Sequence, residues 1–417
     1  MSKVLLFRGT FIKNFFNLII NQGVNIFIAL LATRILFERL GEVQFGFVNL
    51  ALSVVLLLSI SVSYGYHLNG PKRIALFRDE FKKKQILINE IIVTRIIIAI
   101  SMAIFLFCLT YFYGFFKPYS TLLYYSLILL FSEALFPMFY FQGNDKIAWF
   151  SLINIFAKGA YLLLIVLIIK TPNDAIYVNF LFGFTSFLVY IIFWIFIYKK
   201  EKIKWVWVSI YNIKKRLIEN FQFFMSSIAG HVSIHSGLII LASFVNNTVL
   251  GKFALAQKIG LLMRMVPVFF TQAILQKATI LFEKDKIEFK IYVNRIFVIG
   301  LVITFLMGLM VIILSKWIIF LLAGSYIVYS ENILKILAFI PFLSMLNFNN
   351  MIEILVNEKK YLLTKATWIT AIIMLILAII SSYYYGGYGL SIALVITEIV
   401  SFIVYSSLLI KNKHEGV

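Results

Sequence analysis

The sequence predicts an all-α polytopic membrane protein of about twelve transmembrane helices. They form two pseudo-symmetric six-helix bundles with both termini cytoplasmic. Three observations predict this. Of 417 residues, 62% are hydrophobic and only 13% charged, and Phe alone occurs 43 times. Apolar runs of about 20 residues, the length that crosses the hydrocarbon core as a helix, recur along the whole chain. The 38 Lys and Arg gather at alternate ends of those runs. A water-soluble domain is about half apolar and about a quarter charged, and disorder requires low hydrophobicity, so both classes are excluded.

The runs cover 14–37, 43–63, 86–108, 120–141, 147–169, 175–198, 221–245, 249–275, 291–314, 332–356, 362–385 and 387–410. The ten-residue alternation of an outer-membrane barrel is absent. The apolar piece 317–323 is too short to cross and reads as re-entrant or interfacial. With the N-terminus inside, the inner segments hold 27 of the 38 basic residues and the outer ones six. The net charge of +20 is therefore chiefly a topological signal. It adds attraction for anionic lipid of about 1 kcal/mol per residue, and nucleic acid is not expected as a partner. The single cysteine, Cys108, can build neither an internal disulfide nor a thiolate metal cluster. The first run lacks a small-residue cleavage site and reads as a permanent span, not a signal peptide. The longest polar stretch, 199–216, is too short for a soluble catalytic domain, so no enzyme is expected.

The two halves, 1–205 and 206–417, look alike. Lys13-Asn14-Phe15 opens the first span and Glu219-Asn220-Phe221 the seventh; LGEVQFGFVNLAL from Leu40 is echoed by LGKFALAQKIG from Leu250. Six spans per half insert both halves the same way up. The expected pseudo-two-fold axis lies along the membrane normal, with a cleft between halves that suits alternating access.

Polar residues inside lipid are costly and face inward, at least about 2.5–3.5 kcal/mol for a central ionised group on insertion scales. Asn14, Asn17, Asn21 and Asn25 recur at three- and four-residue steps, an amide stripe on one helical face. Half a chain later, Ser227, His231 and His235 continue the pattern, and Ser344, Asn347 and Asn350 add a third set. These donors and acceptors suit sugar hydroxyls; helix–helix hydrogen bonding is the plainer alternative. His231 and His235 have chelating spacing but no third ligand, so no metal is expected, and proton exchange or a sugar contact is the better reading. Among the cations, Lys158, Arg264 and Arg95 lie well inside spans, while Arg34 and Lys258 sit nearer the outer side, where snorkelling is the alternative. Near-central cations need anions. Glu133, Glu353 and Glu398 are candidates for internal pairs, and also for coupling to an ion gradient; the other anion is a substrate such as a diphosphate, which Arg grips bidentately. The tyrosines 383–385 and 388 around Gly386-Gly387 read as an interfacial belt at an outer turn.

Six stretches in consistent order resemble one family: LGEVQFGFVNLAL, YGYHLNGPKRIALFR from Tyr64 to Arg78, FQGNDK at Phe141, TPNDAIY at Thr171, LGKFALAQKI at Leu250, and AGSYIVYSENILKIL at Ala323. The chain resembles Wzx-type lipid-linked oligosaccharide flippases, the O-antigen repeat translocases of the multidrug/oligosaccharidyl-lipid/polysaccharide exporter superfamily. The resemblance implies a MATE-like bundle in the bacterial inner membrane. It implies movement of an undecaprenyl-diphosphate-linked glycan from the cytoplasmic to the periplasmic leaflet through a cationic lumen, with ion coupling and no cofactor. Membrane lipids are implied partners, as are a glycan polymerase and chain-length machinery. Gly41, Gly46, Gly65, Gly251 and Tyr326 fall in the shared stretches and read as structural, and Pro71-Lys72-Arg73 could meet the diphosphate at headgroup level. Two alternatives stand: a multidrug/ion antiporter of the same superfamily, which would favour acidic pockets, and a membrane glycan polymerase or ligase, which would display a large outer loop.

Overall fold

A computed structural model describes residues 2–415, with side chains over 23–412 apart from positions 147 and 360. In chain order the helices are α1 (Ser2–Ser63), α2 (Tyr66–Leu76), α3 (Phe81–Phe112), α4 (Ser120–Ser126), α5 (Ile128–Ala134), α6 (Met138–Gly143), α7 (Ile147–Ile168), α8 (Ala175–Lys200), α9 (Ile210–Leu241), α10 (Asn247–Lys284), α11 (Lys286–Ala323), α12 (Val328–Leu337), α13 (Ile340–Leu346), α14 (Phe348–Val356) and α15 (Lys360–Glu415). Among the described residues there is no strand. Lipid permits this because a helix satisfies its backbone hydrogen bonds within itself.

Among the described residues, nine helices are long and apolar enough to cross a membrane, ten if the pair Gly114–Ser126 and Ile128–Gly143, bent by 41°, is one span. The protein is thus a multi-pass membrane protein. Two of the nine, Gly23–Leu76 and Tyr361–Asn412, run for 54 and 52 residues, more than twice the length one crossing needs. Each is interrupted by a glycine at positive φ, Gly41 (φ 71°) and Gly386 (φ 56°), where a Cβ would be strained. The piece 317–323 is not a separate re-entrant segment. It is the end of α11, which continues unbroken for 38 residues, about 57 Å at 1.5 Å per residue. A long helix absorbs those residues because nothing before Gly324, with φ 76°, stops it.

The chain forms two compact units, Arg39–Ile239 and a discontinuous one of Met1–Glu38 with Ile240–Val417. They divide the chain differently from the halves at 205/206: the first stretch of α1 goes with the later helices, and most of α9 goes with the earlier ones. Local bonds account for both assignments. Arg34 donates to the carbonyls of Phe320 and Leu321 at 3.0 and 2.9 Å, capping the C-terminus of α11. Within the other unit, α9 is fastened to α2 by the rungs described below.

In the unit Arg39–Ile239, the core gathers Tyr66, Ile74, Leu87, Ile91, Phe139 and Trp194. Its helix α7 is capped by Arg39, which donates to the carbonyls of Val166 and Ile169 at 2.8 and 2.6 Å. The break between α5 and α6 has a chemical cause. Pro137 has no N–H for the carbonyl of Glu133 four residues earlier. The guanidinium of Arg95 takes that place, donating to the carbonyls of Glu133 and Phe136 and pairing with the Glu133 carboxylate at 2.9 Å. Trp194 donates to the neighbouring Leu135 carbonyl at 2.7 Å. At the Lys/Arg-rich end, the Glu201 carboxylate accepts from the Tyr140 hydroxyl and pairs with Lys84 at 2.9 Å. Burial pushes the Glu201 carboxyl up, but those two donors and the Lys84 charge outweigh it and hold the group below the usual carboxylate range.

In the unit of Met1–Glu38 with Ile240–Val417, Phe270, Ile274, Met345, Phe348 and Ile352 pack one cluster, and Leu362, Ala366, Tyr405 and Leu409 another. Asn246 and Asp285 cap α10 and α11 by accepting backbone N–H groups of the first turn.

Two predictions follow from these contacts. Arg95→Ala leaves buried carbonyls and a carboxylate unpaired and should cost about 3–5 kcal/mol; thermal unfolding in detergent should show a large drop, with wild-type stability refuting the plug. Because the folded pKa of Glu201 is depressed, its contribution is present above the unfolded carboxylate pKa and is lost as pH falls through the folded one. The unfolding midpoint of wild type should therefore exceed that of Glu201→Gln at neutral pH and converge with it in acid; parallel pH profiles would contradict this.

Candidate functional site: buried charges and amides in each unit

In the discontinuous unit, α10, α14 and α15 share a polar seam. Arg264 on α10 pairs with Glu398 on α15 at 2.7 Å. Glu398 is 5% exposed, while the Arg264 side chain keeps 28% of its surface open. One turn along α15, Ser401 accepts from Asn347 at 3.4 Å. Asn350 donates to Asn347 at 3.1 Å and to Ser406 at 2.8 Å. Asn347 and Asn350 are thus joined to the face of α15 that carries the Arg264 pair. Glu353 lines a cavity of about 450 Å³ with Lys290, Asn294 and Asn349. Asn25 is buried in α1. Arg34 is engaged as the α11 cap and with Glu38 at 3.1 Å. The side chains of Asn14, Asn17 and Asn21 lie outside the described residues.

Lys258, also in this unit, differs from Arg264. It projects from α10 about 17 Å from the helix start. Among the described residues its ammonium has no ion-pair or hydrogen-bond partner. Lys158 in the other unit, near the middle of α7, has none either. Arg95 is the opposite case: 2% exposed and held by Glu133 and two carbonyls. Of the anions considered for the buried arginines, Glu133 and Glu398 are both taken internally.

The unit Arg39–Ile239 also contains a polar seam that sequence reading only touched. Arg73 on α2 pairs with Glu219 on α9 at 2.7 Å; Glu219 also meets Arg216 at 3.0 Å, and Arg216 meets Glu90 on α3 at 2.6 Å. Beside this Arg–Glu–Arg–Glu chain, Asn69 donates to Asn220 at 2.9 Å, and Tyr64 stacks on Phe224 with centroids 4.6 Å apart. Gly65 permits the approach, since a Cβ there would stand 2.6 Å from the Cβ of Phe223. Further along α9, His231 Nδ1 meets the Ser227 carbonyl at 3.1 Å; a carbonyl only accepts, so Nδ1 carries the proton. The His231 and His235 ring centroids are 5.7 Å apart. His67 on α2 joins them, lying 3.1 Å from the Ser63 hydroxyl and 3.4 Å from that of Ser227. Among the described residues no group of three His, Cys, Asp or Glu is arranged to hold a metal. The proposed meeting of Pro71-Lys72-Arg73 with a diphosphate is narrowed by this geometry: Arg73 is already paired to Glu219. The signal that could have found this seam is the spacing of Arg216, Glu219 and Asn220 at three and four residues, which places them on one face of α9.

Residues 11–276 match the model of a family described as "Polysaccharide biosynthesis protein". The chain belongs to that family. A relative from Escherichia coli (strain K12) is 25% identical over 249 residues, 59% of this chain and 60% of that one. A second, from Shigella dysenteriae, is 25% identical over 394 residues, 93% of this chain and 97% of its own. Both carry the name "Putative O-antigen transporter". Among solved structures, an inward-facing multidrug resistance MATE family transporter of the MOP superfamily superposes with a TM-score of 0.74 at 15% identity, covering 93% of this chain and 95% of that one. The lipid II flippase MurJ, inward closed, superposes at 0.70 with 18% identity, covering 95% and 87%. At such identities these two establish the fold. The family expected from the six stretches is the family found, and the MATE-like architecture is the fold found. Both named relatives carry a transporter name.

Within this member of the polysaccharide biosynthesis family, burial grades the ion pairs. The Arg34–Glu38 pair is exposed and one helical turn apart, a kind worth about 0.3–0.5 kcal/mol. The Arg216–Glu90 pair buries Glu90 to 3%. A double-mutant cycle in thermal unfolding should give the second pair a coupling of about 1–3 kcal/mol, well above the first. Equal couplings would mean that the α3–α9 seam is no stronger than a surface contact.

Proposed function

We propose that this protein flips an undecaprenyl-diphosphate-linked oligosaccharide from the cytoplasmic to the periplasmic leaflet of the bacterial inner membrane by alternating access. In this reading the chain crosses twelve times, each of the two long broken helices crossing twice, with two six-helix halves and both termini inside. The observation that carries it is the pair of partly exposed ammonium groups inside apolar helices, Lys158 and Lys258, without ion-pair or hydrogen-bond partners among the described residues. A cation kept inside lipid at a cost of at least about 2.5–3.5 kcal/mol calls for an anion. The internal carboxylates Glu133 and Glu398 already serve arginines. A diphosphate supplies the missing charge, and the glycan hydroxyls find amides at Asn25, Asn347 and Asn350 and imidazoles at His231 and His235. The polyprenyl tail is as apolar as the bilayer and stays there.

Arg264 gives the coupling a physical form. Its side chain remains partly open while Glu398 is buried. A diphosphate that competes for the guanidinium releases Glu398, which then takes up a cation to remain buried. Each transport step thereby links an anion to a cation. The family membership and the transporter names of the relatives support this reading, and internally engaged carboxylates disfavour an organic-cation cargo. A glycan polymerase and chain-length machinery are the partners that would receive the product.

The test is flipping of a lipid-linked oligosaccharide in proteoliposomes. Lys158→Ala and Lys258→Ala should each slow transport by about tenfold or more, which is about 1.4 kcal/mol, with protein levels unchanged. Wild-type rates in both would remove the anion-binding role.

A further inference from the structure

At the Lys/Arg-rich end of the unit Arg39–Ile239 lies a small cavity that the transport reading does not use. It has a volume of about 110 Å³, and its walls include Tyr140, Trp149, Phe193, Lys146, Lys200 and Glu201. It is well below the size of pockets that enclose a drug-sized ligand, so a glycan does not fit. Its charge is unbalanced. The one carboxylate, Glu201, is held by Lys84 at 2.9 Å and by the Tyr140 hydroxyl. Lys146 and Lys200 have no ion-pair or hydrogen-bond partner among the described residues. The Lys200 ammonium sits 5.5 Å from the Phe196 ring centroid, which holds its charge beside an exposed aromatic face.

The surface leading away from the cavity is apolar. On α7, Trp149, Leu152 and Phe156 follow at three- and four-residue steps and are all exposed. On the adjacent α8, Ile192, Ile195 and Phe196 are exposed as well. A polar recess with two surplus cations, opening at the end of an apolar double track, matches a molecule with a compact anion at one end and hydrocarbon chains behind it.

We propose that this recess is a binding site for the phosphate headgroup of an anionic bilayer phospholipid, with its acyl chains along α7 and α8. The proposal takes from the preceding section only the placement of this end at the cytoplasmic leaflet, where anionic lipid gathers; it does not depend on what is transported. The two lysines supply the charge, Trp149 seats the interface, and the Lys84–Glu201–Tyr140 cluster keeps the carboxylate from competing with the phosphate.

The experiment uses the purified full chain in neutral detergent, titrated with phosphatidylglycerol, phosphatidylcholine or inorganic phosphate while the unfolding midpoint is followed. Phosphatidylglycerol should raise the midpoint at concentrations where the other two do not. Lys146→Ala with Lys200→Ala should weaken phosphatidylglycerol binding by about thirtyfold, each lysine contributing about fivefold. The two single variants give the same answer if the double one does not fold. Lys199→Ala, next to the recess on α8 but not lining it, should bind as wild type. An equal shift from phosphatidylcholine would show that charge is irrelevant, and a full shift from phosphate alone would reduce the recess to a free-anion site. Wild-type affinity in the lysine variants would place the lipid elsewhere. Each of these results overturns the proposal. Flipping is not measured, so loss of the transport reading would leave a lysine-dependent lipid shift intact.

Discussion

The Arg95 guanidinium at the Pro137 break expresses the constraint on which the architecture rests: within lipid, every backbone carbonyl freed by an irregularity must find a donor inside the protein. Pro137 removes one N–H, and the helix is interrupted between Ala134 and Met138. Arg95 and Trp194 then bring donors to three carbonyls at the break, those of Glu133, Leu135 and Phe136. The same solution recurs at helix ends. Arg34 serves the last carbonyls of α11, and Arg39 those of α7. Arg34 and Arg95, two cations that look like functional groups in a linear reading, thereby act on the backbone, as does Arg39.

This division of labour sharpens the remaining charges. Once Arg95, Arg34 and Arg39 are engaged with carbonyls, and Arg73 and Arg216 with Glu219 and Glu90, two classes of partly exposed cation inside the apolar helices stand out. Arg264 has a carboxylate partner and residual exposure, the arrangement of an exchangeable pair. Lys158 and Lys258 have no partner among the described residues. A buried pair adds little to stability over apolar packing, while removal of one member is costly. An ionised group without a partner inside lipid is costlier still.

The polar seam joining α2, α3 and α9 has a different character. Its rungs are an aromatic stack, an amide pair and an alternating chain of four charges. Together they account for why the compact unit runs to Ile239 and does not stop at the midpoint of the chain. His67 and His231 continue the seam along α2 and α9, tied through Ser63 and Ser227, and His235 lies beside the His231 ring.

Hydrophobic run length and the distribution of Lys and Arg determined, from the sequence alone, that this chain is a helical multi-pass membrane protein, because lipid thickness and backbone satisfaction leave few other solutions. The six ordered stretches were enough for the family. Glycine breaks at Gly41 and Gly386 were also legible, since both fall between apolar runs. The extent of α11 was not, because Lys316 interrupts the hydropathy of its last turns without interrupting its hydrogen bonds. Pairing was equally hidden. Arg95 and Lys158 look alike as cations inside apolar runs, yet one meets carbonyls from a proline break 38 to 41 residues away and the other meets nothing described. Such outcomes depend on which helix faces which, and side-chain periodicity specifies a face without naming its neighbour. Only the tertiary structure brings Glu398 to Arg264 or Glu219 to Arg73, because the partner of a buried charge is set by three-dimensional packing over separations that no local pattern records.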